Sequence, residues 1–114
     1  MLERLARPGL AIDLGTAATR MHCPLRVQPL SRPSVIWRGG APRPALCGGV
    51  VVDSEVAAGV VAELLRKAPR RVLGRRPRVL VCAPSDASEA ERGALEQAVR
   101  RAGAAQVAVV PEPL

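Results

Sequence analysis

In the stretch Asp13-Leu14-Gly15-Thr16-Ala17-Ala18-Thr19, a carboxylate and two hydroxyls stand among residues that are otherwise mostly small. A tight turn of this composition lets backbone N–H groups approach a phosphate, with Thr16 adding a hydroxyl. Asp13 supplies a charge suited to a hydrated magnesium ion, whose ligands are oxygens. Asp-Leu-Gly-Thr also closes hairpins for purely local reasons, so a plain turn fits the same residues. Glu112, between Pro111 and Pro113, is a second candidate, because it follows an apolar run and ligands of open α/β sheets gather beyond the carboxyl ends of parallel strands.

Other reactive side chains read as structure. His22 has no Ser, Asp or Glu at a motif spacing and reads as a strand histidine. Cys23, Cys47 and Cys82 lack C-x-x-C spacing, so neither a disulfide framework nor a zinc site follows, and Cys82 between apolar neighbours reads as core. Arg66, Lys67, Arg70, Arg71, Arg75, Arg76 and Arg78 form a run with no acid inside it. Stacking aromatics are missing from that run, so it reads as a solvated helix end and loop; a nucleic-acid role would rest on phosphate attraction alone.

The elements that would position Asp13 and Glu112 can be read from pattern. Gly9 to Asp13 and Thr19 to Cys23 form a β-hairpin, with Gly15 giving the turn its backbone freedom. Extended pieces are expected from Leu25 to Leu30 and from Pro33 to Trp37. Residues 38–49 hold four Gly and two Pro and read as loop without periodicity. A helix starts at Asp53 or Ser54, buries Val56, Val60 and Leu64, and ends before Pro69 with Arg66 and Lys67 in its last turn. Arg78 to Ala83 reads as a buried strand, and Ser88-x-x-Glu91 as a capping box that opens a helix ending at Gly103. Gln106 to Val110 reads as a second buried strand. A strand, a capped helix and a strand with short connections predict a parallel βαβ unit, and hence an α/β layer.

Composition bounds the rest. At 114 residues the chain is a single small domain, and 48% hydrophobic with 24% charged residues excludes collagen-like and wholly disordered classes. Trp37 is the lone aromatic, so the core is built from Val, Leu, Ile and Ala. A net charge of +7 draws anionic partners, although all basic residues but Lys67 are Arg in a chain rich in Ala, Gly and Pro, as GC-rich coding would also produce. Leu2, Arg4, Leu5 and Arg7 begin a membrane-surface pattern that Pro8 cuts short. No signal peptide or membrane span is visible, and the expectation is a cytoplasmic chain.

In order along the chain, Ala11 to Thr19, Pro33-Ser34-Val35-Ile36, Gly49 to Val56, and Arg78 to Ser85 running through Ser88 to Arg92 and on to Glu112-Pro113 resemble the start of the MreB-type bacterial actins. These belong to the actin and heat-shock chaperone ATPase superfamily. The resemblance implies a ribonuclease H-like, actin-like first subdomain: a mixed sheet with antiparallel N-terminal strands and a C-terminal parallel βαβ unit. Residues 1–114 would form this single truncated subdomain, with the loop at 38–48 in place of the outer subdomain. By position, Asp13, Gly15, Thr16 and Ala17 match the first phosphate loop for ATP, and Asp13 the magnesium-side acid. Glu112 matches the catalytic acid that orients the attacking water. The family's second phosphate loop and adenosine pocket lie beyond Leu114, so the chain is expected to bind nucleotide weakly, or only when a partner supplies the other lobe, and not to turn it over alone. The implied function is rod-shape determination, with full-length MreB-like relatives or self-association as partners and peripheral membrane contact beneath the bilayer; no specific nucleic acid is expected. Ala18 stands where Asn is common and Pro111 where an acid is common. A catalytically silent interaction module or degenerate fragment is the alternative, and a basic nucleic-acid or anionic-lipid adaptor using residues 66–78 is a third.

Overall fold

A computed structural model of the chain describes residues 9–24, 26–69 and 77–111. Strands β1 (Leu10–Leu14) and β2 (Ala18–His22) form the expected hairpin, with Ile12 opposite Met21 and Asp13 opposite Arg20. Alternation sets the faces: Leu10, Ile12 and Leu14 are buried while Ala11 and Asp13 are half-buried. Strand β3 covers Leu30–Pro33 and pairs antiparallel with β2. The extended piece expected from Leu25 to Leu30 is therefore displaced. Leu25 lies outside the described residues, and the Arg26 N–H closes a turn onto the Cys23 carbonyl at 3.3 Å. Pro24 and Pro29, which have no N–H to give a ladder, bracket this segment.

A larger correction concerns residues 38–49. Instead of an irregular loop, the chain forms two small hairpins, β4 (Val35–Arg38) with β5 (Ala41–Pro44) and β6 (Leu46–Cys47) with β7 (Val50–Val51). Each turns on a glycine pair with positive φ: 59° and 77° at Gly39 and Gly40, 57° and 82° at Gly48 and Gly49. Two central residues with positive φ are what a tight two-residue hairpin of matching twist requires.

Helix α1 (Ser54–Arg66) starts at the expected cap, where the Asp53 carboxylate accepts from the Val56 N–H at 3.1 Å. It buries Val56, Ala57, Val60, Val61 and Leu64. At Gly59 a Cβ would lie 2.7 Å from Ile36 Cδ1, so the missing side chain lets the β4 hairpin sit against the helix. Strand β8 (Arg78–Ala83), helix α2 (Glu89–Ala102) and strand β9 (Gln106–Pro111) form the parallel unit read from the sequence. Ser88 caps α2 by accepting from the Glu91 N–H at 3.1 Å, and Gly103 ends it with φ of 121°. Strand β8 also lies parallel to β1, giving the order β3-β2-β1-β8-β9.

Both helices cover one face. Met21, Ile12 and Val81 meet Val60, Val61, Leu64, Leu95 and Val99 in one cluster, against which Val109 packs. The other face carries Ala11, Leu80 and Ala108 in one row and Asp13, Cys82 and Val110 in the next. Two expectations fail there. Cys82 is only half-buried on that uncovered face, and β9 is an edge strand with no fully buried residue.

Candidate functional site

The parallel strands β1, β8 and β9 end along a single edge of the sheet, since Asp13 is in register with Cys82 and Cys82 with Val110. Three segments leave from that edge: the turn Gly15–Ala17, the turn Pro84–Ala87, and the chain after Pro111. Glu112 follows Pro111 in sequence and lies outside the described residues.

The turn Gly15–Ala17 is held from beneath. The Gly15 N–H donates to the Ala18 carbonyl at 3.1 Å, and a Cβ on Gly15 would lie 2.6 Å from that oxygen. Gly15 does not take a positive φ. Close approach of backbone to backbone, and not the expected conformational freedom, is why glycine fits here.

Ser34, fully buried, does most of the anchoring. Its hydroxyl donates to the Gly15 carbonyl at 2.7 Å and its N–H to the Ala17 carbonyl at 3.1 Å. Thr19 Oγ1, also fully buried, lies 2.7 Å from Ser34 Oγ. A serine hydroxyl has one proton, and the carbonyl can only accept, so Thr19 donates to Ser34. From above, the Gly49 N–H donates to Thr16 Oγ1 at 2.9 Å, which docks the tip of the β6–β7 hairpin on the turn. In the sequence Ser34 reads as part of an extended piece and Gly49 as the end of a loop, and neither pattern points to a role at this turn.

Inside this frame the N–H groups of Thr16 and Ala17 have no acceptor among the described residues, and both residues are exposed. Asp13 is half-buried, and its carboxylate has no hydrogen-bond or ion-pair partner among them. Two free amides, a hydroxyl and a carboxylate at the carboxyl edge of a parallel sheet can hold a phosphate and its counter-ion. No group of three or more His, Cys, Asp or Glu that could hold a metal occurs among the described residues.

Elsewhere the candidates stay apart. His22 is exposed on β2 and borders an open concavity of about 750 Å³ where the parallel strands begin, with Leu10, Ala11, Arg78, Leu80 and Ala108. That is the opposite end of the strands from the turn. Arg66 and Lys67 close α1 and Arg78 opens β8, whereas Arg70, Arg71, Arg75 and Arg76 lie outside the described residues. Cys23 is buried; burial raises its thiol pKa, and Arg26 opposes the rise. No helix among the described residues is long and apolar enough to cross a membrane.

Comparison with known proteins bears on the family and the fold. The family model described as MreB/Mbl protein matches residues 40–114. The cell shape-determining protein MreB of Escherichia coli strain K12 is 28% identical over 133 residues, covering 92% of this chain. Mbl of Bacillus subtilis strain 168 is 27% identical over 128 residues, covering 91%. The chain spans 38% of the length of each of these relatives. Among solved structures, MreB5 of Spiroplasma citri bound to ADP superposes with a TM-score of 0.73 at 22% identity, over 93% of this chain and 38% of that one. EutJ of Carboxydothermus hydrogenoformans gives a TM-score of 0.61 at 20% identity, over 92% and 36%. The mixed sheet with its parallel βαβ unit is thus the actin-like fold expected from the sequence. A family model that matches well over half of the residues, on a chain with this fold, establishes that the protein belongs to the MreB/Mbl family.

Proposed function

We propose that this chain is the phosphate-binding first subdomain of an MreB-type, shape-determining protein, and that the turn Gly15–Ala17 takes the phosphates of ATP. The observation that carries this reading is the pair of unengaged N–H groups on Thr16 and Ala17, in a turn fixed by Ser34 and Gly49 at the carboxyl edge of β1. Rigid amides aimed before a ligand arrives cost little to reorganise on binding. Asp13 would hold magnesium through water, and the ion, when bound, neutralises charge on the phosphates. Glu112 takes the role of the acid that orients water. Nucleotide seen in the Spiroplasma citri relative supports the ligand class.

Residues 38–48 stand in this reading where the family's outer subdomain would be, and the 114 residues act as one subdomain. A second lobe, supplied by a full-length relative or further chain, completes the cleft, so turnover by this chain alone is not expected. Its action on cell shape runs through assembly with such relatives in the cytoplasm. Isothermal titration with magnesium ATP, alone and with a full-length MreB, tests this: heat that Gly15→Val abolishes supports it, and no heat in either titration sinks it.

A second contact is favoured by one observation: Trp37, on β4, is 68% exposed. An exposed indole on a chain of net charge +7 suits the interface of an anionic bilayer, the peripheral contact proposed for this chain. Trp37 is the lone tryptophan, so its fluorescence reports directly. A blue shift on phosphatidylglycerol vesicles but not on phosphatidylcholine supports the contact; unchanged emission on both removes it.

A further inference from the structure

The two edges of the sheet are built differently. Strand β3 is four residues long, carries Arg32 and Pro33, and follows Pro29. Arg32 is bonded to the Val35 carbonyl and paired with Glu63 of α1. Proline and charge on a short strand are the devices that stop an edge from recruiting another strand. Strand β9 has none of them before its last residue. From Gly103 to Val110 the chain holds no charge and no proline, and Gln106–Val110 is rich in β-branched residues. Its outer side pairs with no strand among the described residues.

We propose that β9 is a homotypic docking edge, on which β9 of a second copy of this chain adds antiparallel to make a continuous ten-stranded sheet. Three features select a second copy. An uncharged strand can face itself about a two-fold axis without opposing like charges. Side-chain alternation then fixes the register: residues on the helix-covered face must meet residues on that face, so the axis passes through a residue and not between two. Centring on Ala108 pairs Val107 with Val109 and Gln106 with Val110, and leaves Pro111, which lacks an N–H, outside the ladder. Finally, the guarded β3 edge of each copy ends growth at two. The inference stands on sheet topology and does not rest on nucleotide binding.

Sedimentation velocity of the full chain over rising concentration tests it. A monomer–dimer equilibrium is expected. Ala108→Lys, an exposed substitution, brings two like charges together at the axis and should weaken dimerisation by about tenfold or more. An equimolar mixture of A108K and A108E should restore it. Hydrogen exchange on the unmodified chain gives an independent reading should A108K fail to fold: amides of residues 106–110 gain protection as concentration rises, and those of β3 do not. A monomer at every concentration up to about 100 µM, dimerisation by A108K equal to that of the parent, growth past the dimer, or protection gained at β3 would each overturn the proposal.

Discussion

Where β1 ends, five hydrogen bonds made by Gly15, Ser34, Thr19 and Gly49 converge on one three-residue turn. Where β1, β8 and β9 begin, the concavity beside His22 is bordered by apolar side chains and arginines, and the nearby loops are joined by the Ala105 N–H to the Pro77 carbonyl at 2.9 Å. Among the described residues, the two ends of the same strands differ in how densely hydrogen bonds hold the backbone. Buried, mutually satisfied polar groups are costly to assemble and pay back in fixed geometry, which the phosphate-contacting role proposed for this turn needs and an apolar hollow does not.

Substitutions that remove this asymmetry should rank accordingly. Gly15→Val sets a branched side chain against the Ala18 carbonyl, where even a Cβ would be 2.6 Å away, and should cost about 2–4 kcal/mol in chemical denaturation. Ser34→Ala strands the Gly15 carbonyl and the Thr19 hydroxyl in a buried site; a loss of about 1–3 kcal/mol is expected. In the double variant with Thr19→Val the loss should be less than the sum of the two singles, because the pair shares one network. Thr16→Val removes only an exposed acceptor from Gly49, so stability should stay within about 0.5 kcal/mol while exchange at the Gly49 amide quickens. At the other end, His22→Ala should leave the thermal midpoint almost unmoved; a fall matching that of Ser34→Ala would erase the contrast.

A pH effect is also expected next to the far end. Burial raises the Cys23 thiol above its ordinary range, so its contribution to stability is whole below the unfolded-state value and is lost as pH rises through the higher folded value. Melting temperature should fall more steeply on the alkaline side in the parent than in Cys23→Ala.

Much of this fold is written in local pattern. The Asp53 and Ser88 caps, the Gly103 stop and the apolar faces of both helices were legible because each signal acts within a few residues. Of the hairpins at 35–51 only β4 was, within the extended piece from Pro33 to Trp37; glycine pairs and prolines dominate the rest, and strands of two to four residues leave little alternation to read. Gly39-Gly40 and Gly48-Gly49 are the signal: each pair marks a tight turn. At the site, Asp13, Gly15, Thr16 and Ala17 could be read in sequence, but Ser34 could not: its partners Gly15, Ala17 and Thr19 are brought to it only by the pairing of β2 with β3. Burial of Cys82 and β9 was overestimated because apolar sequence does not tell a central strand from an edge, or a covered face from an open one.

The backbone contacts around Ser34 reach further than the turn. Ala17 accepts from Ser34, Ser34 from Ala45, and Ala45 from both Val52 and Asp53, the residue that starts α1. Loop tip and helix entrance are therefore mechanically in series. A pull of a few tenths of an ångström on the Ala17 carbonyl would arrive at the first turn of α1 without crossing the apolar interior, so a spectroscopic probe at Ser54 should sense an occupant of the turn that never touches the helix.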